Sequence, residues 1–120
     1  MPKKPERVGK ALSLPVLHIL LTLADGARHG YAIKQDVEQR TQGSIRLGPG
    51  TLYEAIQRLL DAGLIEESEG EPDPVNGQVA QRRYYALTPR GWEALKDELR
   101  QLDAVLDIAR TNPKLRKGLA

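Results

Sequence analysis

Residues 47–67, LGPGTLYEAIQRLLDAGLIEE, constrain the chain more than any other segment. Pro49 between two glycines marks a helix start, because proline's missing N–H costs nothing in a first helical turn. Leu52, Ala55, Ile56, Leu59 and Leu60 then recur at helical spacing and form one apolar face. Tyr53, Glu54, Gln57, Arg58 and Asp61 occupy the other. Gly63 supplies a left-handed stop, and Leu64-Ile65 begins an extended run. A short helix that is apolar behind and hydrogen-bonding in front suits a major groove. Any amphipathic surface helix shares those two faces, so the neighbouring segments decide the reading.

On the N-terminal side, Ser13 is placed to cap a helix over residues 14–24 that is apolar nearly all round. Such a helix needs cover on more than one side, and in a chain of 120 residues a partner subunit is the expected second cover. Asp25-Gly26 breaks it. A second helix follows over residues 29–41 with Tyr31, Ile33 and Val37 inward and Gly43 at its end, and Ile45-Arg46-Leu47 reads as a short strand. On the C-terminal side, residues 64–67 begin one strand and residues 82–87, RRYYAL, return as another. Between them GEPDPVNGQV (70–79) carries two prolines and an Asn-Gly turn signal, which gives a hairpin with a long tip. Thr88-Pro89 is an N-cap with proline at the first helical position, opening a long helix to about residue 110. Within it Trp92, Leu95, Leu99, Leu102, Leu106 and Ala109 alternate spacings of three and four, a heptad seam without a partner in the same chain.

The fold class is therefore α+β but mostly α: a winged helix-turn-helix with an appended C-terminal dimerisation helix. The expected division is a basic arm (1–10), a winged domain (11–88), a dimerisation helix (89–111) and a frayed basic tail (112–120).

Composition narrows the function. Apolar residues at 40% and charged residues at 28% describe a soluble globular chain. Cysteine is absent, which removes disulfides, thiolate zinc sites and thiol chemistry. The longest apolar run, residues 14–24, is interrupted by His18 and Thr22 and falls short of the roughly 20 residues a membrane span needs. With no secretory core leading to a cleavage site, the cytoplasm is the expected compartment. The net charge of +2 conceals segregation. Residues 1–60 hold nine Lys/Arg against five Asp/Glu, residues 61–79 six acids and no base, and residues 80–120 nine bases against five acids. Two basic blocks around an acidic one fit a polyanion-facing surface with a separate outward loop.

Three blocks, HGYAIKQDVEQRTQG (29–43), LGPGTLYEAIQRLLDAGLIE (47–66) and RRYYALTPRGWEAL (82–95), closely resemble the PadR family of bacterial transcriptional regulators. The resemblance covers about residues 12–110, and the single C-terminal helix is similar to the family's small subgroup. It implies a dimeric winged helix-turn-helix repressor on an inverted-repeat operator, released by a ligand or stress signal. Two departures stand out. The wing tip is longer and more acidic than the family's usual short Gly-Arg-rich turn, and Gly48 occupies a position where the family often has a capping serine, for which glycine is a tolerable substitute.

In that setting Tyr53, Gln57 and Arg58 are expected to read bases or bind phosphates, although by themselves they would merely solvate a helix. Gly50 and Thr51 sit at a helix N-terminus, a natural phosphate site. Lys34, Arg46, Arg82 and Arg83 are the expected further phosphate contacts. The dimer interface is expected from Leu14, Leu17 and Leu21 of the first helix with Trp92, Leu95, Leu99, Leu102, Leu106 and Ala109 of the last. His18 and His29, without carboxylates at ligand spacing, make a poor metal site and read as a packed residue and a helix-start residue. No cofactor motif and no nucleophile–base pair is present, so an enzyme is not expected. Trp92 is expected to pack between the long helix and the winged domain, and it is the candidate contact for a small-molecule inducer. The expected partners are double-stranded DNA and a second copy of the chain. The rival is a winged-helix module that docks a protein and binds no nucleic acid.

Overall fold

A computed structural model of the chain describes residues 12–69 and 83–119. The basic arm, the wing tip and Arg82 lie outside the described residues. Helix α1 (Leu14–Leu23) begins where Ser13, in an extended conformation, accepts from Val16 N–H at 3.4 Å. Its buried residues Leu17, Ile19, Leu20, Thr22 and Leu23 run round much of the helix, as its composition requires. Burying the Thr22 hydroxyl demands a partner, and it donates to Asp36 Oδ2 at 2.9 Å. Asp36 also pairs with Arg28 at 3.6 Å, and Asp25 with Arg40, so side chains fasten the C-terminal end of α1 and the turn after it to helix α2 (Gly30–Arg40).

Helix α2 is capped by His29, whose Nδ1 accepts from Ala32 N–H at 3.2 Å. Ile33 and Val37 are fully buried one turn apart. That stripe puts Tyr31 on the opposite side, where it is 57% exposed and not inward as its apolar ring predicted. After the helix, Gln42 and Gly43 adopt positive φ, and the Thr41 hydroxyl donates to Val37 C=O at 2.7 Å while accepting from Ile45 N–H at 3.1 Å. The amide of Ile45 is thus spent locally, and residues 45–47 form an irregular link and not the predicted strand. Leu47 drops into the core and leads to α3 (Pro49–Asp61).

Leu52, Ile56 and Leu59 bury the inner face of α3. The helix closes with Gly63 at φ +76°, where Gly63 N–H donates to Leu60 C=O and Leu64 N–H to Leu59 C=O, each at 3.0 Å. This is a Schellman arrangement, which explains why a glycine sits there. The chain then enters β2 (Ile65–Ser68), which pairs antiparallel with β3 (Tyr84–Leu87) in the register Ile65↔Leu87 to Ser68↔Tyr84. A two-residue strand, β1 (Arg28–His29), joins the free edge of β3, so the sheet order is β1-β3-β2. Its amides pair with a strand far along the chain, and no local pattern announces it.

The junction into α4 (Pro89–Arg110) brings two stretches of backbone together. Thr88 caps the helix by accepting from Gly91 N–H at 3.0 Å, and its hydroxyl donates to Gly63 C=O at 2.6 Å. Its own N–H donates to Leu64 C=O at 3.1 Å. Gly91 lies directly on that carbonyl: a Cβ there would stand 2.0 Å from Leu64 O. Burial in α4 ends with Leu95 and Glu98, the carboxylate of Glu98 accepting from Leu12 N–H at 3.4 Å. The whole helix has 22 residues and is about 33 Å long at 1.5 Å per residue; the part beyond Glu98 leaves the core and is largely exposed. Residues 112–119, predicted to fray, instead form α5 (Pro113–Arg116) and a 3₁₀ turn (Lys117–Leu119). Asn112 caps α5 by accepting from Lys114 N–H at 2.9 Å, with Pro113 at the first helical position.

Because backbone cannot move out of the way of a Cβ as a side chain can, Gly91→Ala should destabilise the protein by about 3 kcal/mol. Gly50→Ala, on an exposed helix with open space around the position, should be neutral or stabilising by a few tenths. Urea unfolding midpoints of the two variants check both, and equal midpoints would refute the packing described for the junction.

Candidate nucleic-acid interface

The outer face of α3 presents Thr51, Tyr53, Glu54, Gln57 and Arg58 to solvent. Amphipathic spacing alone accomplishes this, since the buried Leu52, Ile56 and Leu59 leave no other side for them. Gly50 and Thr51 are exposed in the first turn, and the N-cap Gly48 carries no side chain to occupy the N–H groups there. First-turn amides lack carbonyl partners within their own helix, and with the helix dipole they form a site for a phosphate.

Charges on this face are largely paired among themselves. Arg58 stands 3.7 Å from Glu54 one turn back, and Gln57 Nε2 donates to Asp61 Oδ1 at 3.0 Å. Both members of the Arg58–Glu54 pair are strongly exposed, so the pair is held weakly and opens to a better partner. Tyr53 differs from the others: its ring leans over the start of α2, where Gly30 lies beneath its hydroxyl. Lys34 sits one turn beyond Gly30 in α2 and pairs with Glu38 at 3.1 Å. Arg46, in the link before α3, donates from Nε to Gly43 C=O at 3.3 Å.

At the base of the wing Arg83 pairs with Glu67 across β2 and β3 at 3.2 Å. Tyr85, paired with Glu67 in the ladder, is buried, and that burial first and the Glu67 carboxylate second hold its phenol above the usual range. Its neighbour Tyr84 packs edge-on against His29, with ring centroids 5.4 Å apart. Among the described residues, the predicted DNA-facing residues therefore fall on α2, the link before α3, α3 itself and the wing base. Gly30, which the spacing did not single out, and Tyr31, which it placed inward, lie together at the start of α2.

A second surface is apolar. Leu99, Leu102 and Leu106 of α4 are each 38–39% exposed, and Val105, Ile108 and Leu14 more so. Trp92 is 40% exposed, so it is not sealed between α4 and the winged domain as predicted. Leu21 and Ala109 are half-buried. Leu17 and Leu95 correct the predicted interface: at 4% and 2% exposure they are in the protomer's own core, because the first half of α4 packs against α1. Among the described residues, no three His, Asp or Glu side chains are grouped to hold a metal ion, and no helix is long and apolar enough to cross a membrane.

Comparison with known proteins gives the family. The model of the PadR-like transcriptional regulator family matches residues 17–97. The transcriptional regulator Rv3488 of Mycobacterium tuberculosis is 37% identical over 87 residues, covering 72% of this chain and 74% of that protein. A protein of transposon TN4556 from Streptomyces fradiae is 40% identical over 80 residues, 67% of this chain, and the match spans only 20% of that protein. Among solved structures, a transcriptional regulator from Clostridium thermocellum superposes with a TM-score of 0.65 at 26% identity, covering 82% of this chain and 89% of that one. RosR of H. salinarum superposes with a TM-score of 0.62 at 27% identity, covering 92% and 88%. With the α2–turn–α3 unit, the β2–β3 wing and the matched family model in agreement, the chain belongs to the PadR-like family of DNA-binding transcriptional regulators.

Proposed function

We propose that the protein is a cytoplasmic, homodimeric repressor that binds an inverted-repeat operator and performs no catalysis. The observation that carries this reading is the pairing of an exposed, hydrogen-bonding α3 face with a leucine seam on α4. A contiguous apolar strip of that length is uncommon on soluble monomers. A second copy of α4 covers it, with Leu14 and Leu21 of α1 at the flank. In this arrangement residues 89–111 are the dimerisation helix and residues 11–88 the DNA-binding head. The two α3 helices then enter successive major grooves about one helical turn, roughly 34 Å, apart. Gln57, Arg58 and Tyr53 meet base edges, while Thr51, the Gly50 amide, Lys34, Arg46, Arg82 and Arg83 meet the backbone.

A winged helix that docks a protein is the alternative, favoured by one observation: the α3 face is nearly neutral and β2 adds Glu66 and Glu67. Retardation of a DNA duplex by the protein separates the two readings. Arg58→Ala should cost about 1–3 kcal/mol of binding if it reads a base, or shallow the salt dependence by about one counterion if it meets a phosphate. Glu54→Gln removes the charge that holds Arg58 back, and should tighten binding at low salt. Unchanged affinity in both variants would move the recognition face off α3.

Leu102→Asp places a charge in the seam of each subunit. Sedimentation should find wild type dimeric and Leu102→Asp monomeric at micromolar concentration; a monomeric wild type would end the repressor model.

Any inducer of so small a dimer acts by changing the distance or tilt between the two heads, and shifts the population only by its preference between spacings. Trp92, exposed at the root of α4 beside Gly91, is the proposed contact for a small apolar ligand. Such a ligand should quench the single tryptophan, and Trp92→Ala should blunt the response. An inducer that releases DNA with both unaffected would place the sensor elsewhere.

A further inference from the structure

Gly30 has no backbone reason to be glycine. It is the first residue of α2, a helical position that any L-residue adopts, and its φ is not among the positive ones. What the position does require is space. A Cβ on Gly30 would stand 2.8 Å from the Tyr53 hydroxyl oxygen, 3.1 Å from Cζ and 3.2 Å from Cε1. The end of the Tyr53 side chain therefore rests against the start of α2, although the residue as a whole is 53% exposed. The tip of the ring is thus seated against α2, with the remainder open on the outer face of α3.

We propose that Gly30 is a positioning residue for DNA recognition: by leaving room for the Tyr53 phenol, it sets the direction in which that ring meets DNA. The inference rests on the DNA-face reading above. A larger residue at this position collides with a side-chain end and not with backbone, so the ring swings aside while the fold persists. Gly91 is the opposite case, where a Cβ meets a main-chain carbonyl. Fixing a planar group in one orientation confers sequence preference, because each base pair offers its donors and acceptors in fixed directions.

The test is a double-mutant cycle on a duplex that wild type enriches from a random-sequence pool. Gly30→Ala should melt and sediment like wild type, yet bind that duplex about tenfold more weakly, within the range of one lost base contact. In a Tyr53→Ala background, Gly30→Ala should change affinity by less than about twofold, since coupled residues are not additive. Nuclear Overhauser contacts between the Gly30 α-protons and the Tyr53 ring should be present without DNA. Additive effects, wild-type affinity in Gly30→Ala, or missing Overhauser contacts would each overturn the proposal. If those contacts were intact but Tyr53→Ala bound the duplex like wild type, the DNA-face reading would fail, and the proposal with it.

Discussion

The carbonyl of Leu64 and the three groups gathered round it hold the molecule's two halves in fixed relation. Thr88 N–H donates to it, Gly91 lies against it, and the Thr88 hydroxyl reaches one residue back to Gly63 C=O. These contacts fasten the stop of α3, the first residues of β2 and the cap of α4 into one knot. The direction of α4 is therefore not free to vary independently of α3. A hydroxyl that accepts from its own helix while donating to the residue that stops α3 satisfies the start of α4 and a main-chain carbonyl at once. Buried backbone groups left unpaired at that point would cost as much as a lost hydrogen bond each.

That rigidity matters because the α3 face has little net charge to attract DNA. Arg58 is matched by Glu54, Lys34 by Glu38 and Arg83 by Glu67. Exposed pairs of this kind are worth little and exchange readily for phosphate, but each exchange strands a carboxylate near the backbone. On the proposed reading, affinity then depends less on bulk attraction than on two faces arriving together at the right separation. In the proposed dimer, α4 and the knot would set that separation, and a small change in the angle between two helices would remove it.

Most of the architecture was legible because its signals are local. Ser13, Gly63 and Thr88-Pro89 mark helix ends at the places where caps and a left-handed stop are found. The apolar stripe of α3 faces the core as its spacing requires. Failures trace to non-local or competing interactions. Strand β1 exists only because β3 offers it an edge. Residues 45–47 looked extended, but the Thr41 hydroxyl captured the Ile45 amide. Tyr31 was counted with Ile33 and Val37 on composition, whereas helical geometry places it outside. The Asn112-Pro113 cap was written in the sequence and outweighed by the basic character of the tail. At the candidate site, exposure of the α3 face followed from periodicity, but the seat that Gly30 makes for Tyr53 joins two helices and has no signature in either one alone. Leu17 and Leu95 carry the same lesson: a seam shows which residues are apolar, not which neighbour buries them.

The central claim is that α4 joins two copies so that their α3 helices stand one groove repeat apart. The chain has no cysteine, so Gln57→Cys introduces a single attachment site for a spin label on the outer face of α3. Pulsed dipolar spectroscopy of that labelled protein, free of DNA, measures the separation directly. The account predicts one population centred at about 34 Å, the repeat of successive major grooves. An absence of dipolar coupling, or a separation of half that distance, would contradict it.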